Sequence, residues 1–359
     1  MLRSIIAAGC LLLSATASSF AQQAPELSPA EKIYAELAKL SPEERHKRLE
    51  EGARKEGRVV IVHTLRGELG RSHLAIFRKK YPFLNVEATT DIGSQDAAER
   101  LFAEETSGRN LTDVISVSLT DLSEVLRRNY IARNPTPATK ALLPQLQKAN
   151  DPAGRWALFF WSEHGMSYNT NMVPKEKAPK QWEDLCDPFF KGSVSFDPAE
   201  ARFIAGLYAI MGEERLMKFM ECIGKNNPII QRGHTQRMEL MLAGDHMVQG
   251  DNYLYHGLSV KRKNPSAPYA MVYSAPIIAG MGASAINRNT KNPHAAALYV
   301  DWTLTKESQE YIAGRLRGPV TIKHPYLPDD VTLVEAADPP KEVADRLMDA
   351  WLRIVEGKK

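Results

Sequence analysis

Six clusters of side chains in this 359-residue chain could carry its chemistry. Arg66 follows the apolar run VVIVH, and a guanidinium there could hold a carboxylate or phosphonate through paired hydrogen bonds. Ser116 and Ser118, within ISVS, could add hydroxyl donors, joined by backbone amides at the helix start that follows. Arg232-Gly233-His234-Thr235 precedes a helical pattern, so its amides and the Thr235 hydroxyl could cradle an anion with Arg232 as a charged contact. Tyr253 and Tyr255 flank Leu254, and strand spacing of two would put both phenols on one side. His63 closes VVIVH, and Trp161 in FFWSEHG could stack on an organic solute. Each has a plainer alternative. Arg66 could be an exposed loop cation, His63 a satisfied strand-end histidine and Trp161 a packing residue of a core or hinge. Asp197 reads as the N-cap of the next helix.

Several chemistries have no support. The chain has no G-x-S-x-G nucleophile turn, no H-E-x-x-H helix and no phosphate-binding P-loop, and Glu163-His164 is an isolated pair, so no catalytic residue is assigned. Cys186 and Cys222 have no zinc-like neighbours; they are either a disulfide closing a loop of about 36 residues, worth roughly 3–4 kcal/mol, or two separate thiols. The formal charge of +3 falls to +2 without Arg3, too small to imply nucleic acid or an anionic membrane.

The elements that must position these groups begin after an export signal. Arg3, an apolar run over 5–13 and the small residues ending Ser19-Phe20-Ala21 predict cleavage after Ala21 and a periplasmic, mature chain. Cys10 is a weak lipoprotein box. No later segment reaches the roughly 18 apolar residues a spanning helix needs, so no membrane insertion is expected. Ser28-Pro29-Ala30-Glu31 and Ser41-Pro42-Glu43-Glu44 each place a Ser N-cap, a Pro and a Glu that satisfy the first amides of a helix. The second of these helices is mostly charged and is expected to offer little to a core. Strands at 59–63, 85–90 and 113–117 alternate with helical patterns over 69–81 and 94–105. This βαβαβ order predicts a parallel sheet whose ligands sit at the carboxyl ends of the strands, beyond Val62 and Val117.

From 166 to 198, MSYNTNMVPKEKAPKQWEDLCDPFFKGSVSFDP reads as a short strand, a loop, a short helix at 181–185 and a second strand. It resembles the corresponding segment of bacterial extracellular solute-binding proteins, specifically the iron(III)-type proteins of ABC importers. EGRVVIVHT, GDNYLY and GASAINRNTKNPHAAALYVDW extend the resemblance over about 52–325. It implies an α/β, type II periplasmic binding protein: two lobes with central mixed sheets and a ligand cleft between them. By that analogy 1–21 is the signal peptide and 22–56 an N-terminal helical extension. Lobe one takes 57–158 and 277–325, lobe two 159–276, and 326–359 forms a C-terminal helical segment. The implied role is to capture a small-molecule solute by lobe closure and deliver it, as a monomer, to an inner-membrane ABC permease.

The iron pattern is only partly present. Ferric iron prefers anionic oxygen, and relatives that carry it use neighbouring phenolates with further ligands from lobe one and a synergistic anion. Here Tyr253 is kept, Leu254 interrupts, and Tyr255 follows. Lobe one offers Ser118 and the Thr64-to-Gly67 loop where carboxylate or His ligands would be sought. The expected solute is therefore a small anionic or polar organic molecule, with no cofactor required. Ferric iron, as a transported ligand held by Tyr253 and Tyr255 with an anion, is the alternative; a solute sensor or exported enzyme is a lesser one.

Overall fold

The computed structural model of the chain describes residues 26–336 and 339–358; the expected signal segment, its cleavage site and Cys10 lie outside them. Two capping boxes open the fold, at Ser28 for α1 (Pro29–Leu37) and at Ser41 for α2 (Pro42–Glu56). The expectation that the second helix adds little to a core is corrected. Arg45, Leu49 and Ala53 fall four residues apart on one face and are buried. Arg45 Nε donates to Asp301 at 2.9 Å and its Nη2 to Asn134 at 2.8 Å, so a charged residue is buried because its charge is paired. Glu56 receives the amides of His294 and Ala295, which open the helix beneath.

The βαβαβ unit follows as β1 (Arg58–His63), α3 (Gly67–Lys80), β2 (Asn85–Thr89), α4 (Ser94–Thr106) and β3 (Val114–Ser118), ending in a short α5 (Ser123–Arg127). β1 pairs in parallel with both β2 and β3. The short strand expected at 166–168 is the end of a long one, β4 (Ala157–Asn169). The helix expected at 181–185 is a 3-10 turn, Trp182–Cys186. It leads to β5 (Val194–Phe196), to α6 (Ala201–Lys225), broken at Gly212 with φ 72°, and to β6 (Ile229–Ile230). Next come α7 (His234–Ala243), β7 (Val248–Tyr253), α8 (Leu254–Lys263) and β8 (Tyr269–Met271). The chain then returns through β9 (Ile277–Ile286), α9 (Pro293–Thr303), α10 (Lys306–Gly314), β10 (Leu333–Glu335) and α11 (Lys341–Ala350).

All ten strands join one mixed sheet, ordered β2-β1-β3-β9-β4-β7-β5-β6, with β10 on β9 and β8 on β4. Two large apolar cores use opposite ends of that sheet. The first gathers 30–161 with 279–320; the second gathers 166–278 with 336–355. β4 and β9 run through both and pair antiparallel from Ala157↔Ser284 to His164↔Ile278. The change of core falls between Trp161 and Met166 on β4 and between Ile278 and Ala279 on β9. α11 packs on α6 in the second core, where Trp351 is buried against Phe196 and Phe203. Cys186 and Cys222, left open in the sequence, are joined as a disulfide with Cα atoms 5.5 Å apart, tying the 3-10 turn to α6. Among the described residues no helix is long and apolar enough to cross a membrane.

Candidate functional site

The loops beyond β1 and β3 open onto a cavity of about 500 Å³ that lies between the two cores. The first side contributes Arg66 and the backbone around it. Gly70 of α3 lies so close under this loop that a Cβ there would sit 1.9 Å from the Leu65 carbonyl oxygen, which fixes the path into Arg66. Ser118 ends β3, and its amide donates to Ser94 Oγ at 2.7 Å, binding the strand end to the first turn of α4. Arg317 arrives by a route with no sequence pattern. After α10 the chain turns at Leu316, φ 61°, and Gly318 exchanges backbone hydrogen bonds with Trp161 at 2.8 and 2.9 Å.

The second side contributes Glu200 and Arg202 at the start of α6, and Tyr253 and Tyr255. Tyr253 is the last residue of β7 and caps α8, so Tyr255 is helical. The phenols nevertheless face the same space, with ring centroids 5.4 Å apart and planes 23° from parallel. They share a side because the strand turns into a helix between them, not because of strand alternation. The Arg317 guanidinium carbon lies 3.3 Å from the Tyr255 ring centroid, a cation–π contact that reaches from the first side to the second.

Arg66, Arg202 and Arg317 line this one cavity, and none makes an ion pair among the described residues. Arg202 Nε is buried with no hydrogen-bond partner. The one carboxylate in the lining is Glu200; burial works to raise its pKa, and His164, His234 and Arg202 outweigh that and pull it down to about 2. Burial pushes the Tyr253 and Tyr255 phenols up, so both are neutral at neutral pH. Three guanidiniums against one carboxylate make a net positive, partly desolvated space, which favours an anion. A second cavity, about 660 Å³, shares Arg66, Ser94, Glu200 and Arg202 and extends toward Leu347 and Met348 of α11.

Beneath the second side is a polar cluster. Arg237, fully buried, pairs with Asp251 and lies 3.3 Å from Asp197. The expectation that Asp197 caps α6 is corrected: it lies three residues before the capping position, held by Glu200, and accepts the Gly233 amide at 2.9 Å instead. His164 stacks on Tyr253 with centroids 4.4 Å apart, and neither of its ring nitrogens has a partner. Burial lowers its pKa to about 3.

The structure brings together Arg66, Ser118, Tyr253 and Tyr255 and leaves the other expected site residues out of the cavity. Ser116 lies two positions earlier in β3, on the same face as Ser118 but deeper along the strand, where it is buried with its Oγ 2.9 Å from Ser284 Oγ on the neighbouring β9. His63 is buried against His73, Nε2 to Nδ1 3.1 Å, and its Nδ1 accepts the Leu65 amide at 3.2 Å. Burial drives its pKa to about 3. Trp161 is a core residue whose indole N–H donates to the Pro319 carbonyl at 2.8 Å; it holds the Arg317 segment rather than touching the cavity. Arg232 is exposed, and Thr235 faces His256 at 3.3 Å on the outer side of α7. Arg202, Arg317, Glu200 and Ser94 escaped the sequence reading. Ser94 and Arg202 did carry a signal, since both lie in first turns of helices that follow strands.

Residues 112–338 match the family described as bacterial extracellular solute-binding protein. An uncharacterized protein of Haemophilus influenzae is 28% identical over 155 residues, 41% of this chain and 44% of that protein, so the chain spans less than half of this curated relative. Among solved structures, iron-bound HitA from Pseudomonas aeruginosa is similar with a TM-score of 0.68 at 17% identity, over 83% of this chain and 99% of that one. Fructose-6-phosphate-bound AfuA from Actinobacillus pleuropneumoniae, a periplasmic binding protein, gives 0.65 at 22%, over 84% and 99%. Likeness at these identities establishes the fold, an α/β periplasmic binding protein fold with a mixed sheet.

Proposed function

The chain belongs to the bacterial extracellular solute-binding proteins, a non-enzymatic family, and from that premise we propose that it captures a small anionic organic solute in the periplasm and hands it to an inner-membrane ABC permease. The observation that carries this reading is the set of three cavity arginines without a carboxylate partner, Arg66 and Arg317 on one side and Arg202 on the other. Lobe one is 57–158 with 277–325, and lobe two is 159–276. An anion that touches both sides is bound best when they approach, so binding shifts the balance from open to closed. The closed form is what the permease would receive. The tyrosine rings supply a flat apolar wall for the body of the solute, while Ser94, Ser118 and Ser162 supply hydroxyl donors.

Ferric iron is the second reading, favoured by the stacked phenols of Tyr253 and Tyr255 and by the iron in HitA. Against it, the Arg317 cation lies on the Tyr255 ring, where it would repel a trivalent metal. The sugar phosphate held by AfuA is of the anionic class proposed.

Metal-stripped mature protein is taken through a thermal-shift panel of carboxylates, phosphonates and sugar phosphates including fructose 6-phosphate, and its visible spectrum is recorded with ferric citrate, with and without bicarbonate. A rise in melting temperature with an organic anion and a colourless ferric sample are expected. A red-orange phenolate-to-iron band that disappears in Tyr253→Phe would replace the first reading by the second.

A further inference from the structure

Beside the arginine-lined space, and sharing Glu200 with it, we propose that the second core carries a divalent transition-metal site of the zinc class, built from His164, Glu200 and His234. One donor atom from each of these residues, and one from Asp251, lie within 4.8 Å of one another. Donors around one tetrahedral zinc ion at about 2.1 Å lie roughly 3.4 Å apart. His234 Nε2 and Glu200 Oε2 are already 3.6 Å apart, so small side-chain rotations close the set.

His164 is the observation that points to a ligand. It is 1% exposed, yet both ring nitrogens lack any hydrogen-bond partner, although a buried polar group without one is costly. Its ring is fixed by stacking on Tyr253 and by an edge contact with His234, centroids 5.3 Å apart. A metal ion would supply the missing partner.

The surroundings suit such an ion. His234 Nδ1 lies 3.2 Å from the Asp251 carbonyl oxygen; an N–H donated there leaves the Nε2 lone pair turned toward Glu200, the usual arrangement behind a metal-bound imidazole. In that tautomer the Arg237 Nη2 donor, 2.9 Å from the same nitrogen, must shift off it onto the Asp197 carboxylate 3.3 Å away, while Nη1 keeps Asp251. Asp197, Glu200 and Asp251 stand against one buried guanidinium, Arg237, a negative excess that Arg202 reduces from the cavity side. Two imidazoles with one available carboxylate favour zinc over magnesium or calcium, which take oxygen sets. Glu200 also lines the cavity, which gives the ion a way in and leaves a coordination position facing it.

Untagged, chelator-treated mature protein is titrated with zinc chloride by calorimetry, and with cobalt chloride while its visible absorption is followed, no organic anion being present. One ion per chain and a cobalt d–d band of tetrahedral intensity are expected. His164→Gln and His234→Gln should each weaken zinc by at least the roughly 10–100-fold that loss of an outer-shell partner costs. Should His164→Gln fail to fold, the partly exposed His234→Gln carries the test. No heat and no cobalt band in the wild type, or zinc affinity unchanged in a folded variant, overturns the site. The anion reading is measured on metal-free protein and stands or falls independently.

Discussion

Arg202→Ala separates a ligand-binding arginine from a structural one. Arg202 has no ion-pair partner among the described residues and a buried Nε without a hydrogen bond, so its removal breaks no ion pair in the empty protein and takes away chiefly the charge that helps hold Glu200 ionised. A hydrogen bond to a charged group contributes about 1.5–3 kcal/mol, which corresponds to roughly 10–150-fold in dissociation constant. The expectation is that ligand-free melting is unchanged while affinity for the best anion of the panel falls in that range. At a ligand concentration of about 100 times Kd the wild type gains about 2.7 kcal/mol, or about 5–10 °C at 2–4 °C per kcal/mol. If the variant binds about 100-fold more weakly, the same concentration equals its Kd, and the gain drops to roughly 0.4 kcal/mol, near 1 °C. Calorimetry of the same pair supplies the dissociation constants directly. A variant that melts several degrees lower without ligand and yet keeps the full ligand-induced shift would refute the reasoning, because Arg202 would then hold the fold and not the solute.

Other perturbations follow from the same structure. Replacing both Cys186 and Cys222 by Ser should lower unfolding free energy by roughly 3–4 kcal/mol, the loop-closure value for the loop of 36, seen as a lower urea midpoint; an unchanged midpoint would count against that stabilisation. His63 is held neutral, with its pKa lowered to about 3. The unfolded chain takes up this proton below about 6.5 and the folded one only near 3, so the contribution is complete above that range and is lost as pH falls through it. At pH 5 the loss is about 2 kcal/mol for this residue, so the urea midpoint should fall between pH 7 and pH 5, and less steeply in His63→Gln. Gly282→Val should cost about 1–3 kcal/mol, since its Cβ would meet the Phe160 ring at 2.0 Å and drive that ring into the cavity. Weaker anion binding should accompany the lower melting temperature; unaltered binding would show that the ring escapes elsewhere.

The sequence disclosed the local units better than the site. Ser28 and Ser41 announced two helices through their capping boxes, and VVIVH, NVEATT and DVISV announced a parallel unit, because caps and strand periodicity are local in the chain. The cavity is not local. Arg317 reaches it only because Gly318 pairs with Trp161, and Arg202 only because α6 points its first turn across the gap between cores. His63 sits at the expected strand end but is packed into the interior against His73, and Ser116 lies two residues short of the end of β3 and is covered by Ser284 of β9; residue type reveals neither the face nor the depth. The second helix reads as offering little to a core for a related reason: Asp301, the partner that lets Arg45 be buried, is 256 positions away.

The place of β9 has a consequence for how this chain comes into being. It lies between β3 and β4, with Val114 opposite Ile286 and Ala157 opposite Ser284, so the first core lacks its middle strand until the segment near residue 286 is available. Synthesis at about 5–20 residues per second would keep the earlier βαβαβ unit waiting roughly 10–30 seconds with one strand edge open. A chain that cannot complete its first half early stays threadable, which suits the proposed export in an unfolded state; the cysteine pair would then close on the oxidising side of the membrane. The same delay leaves the β3 edge exposed to pairing with other chains, so overproduction without timely export should send the protein into aggregates before it fails in any other way.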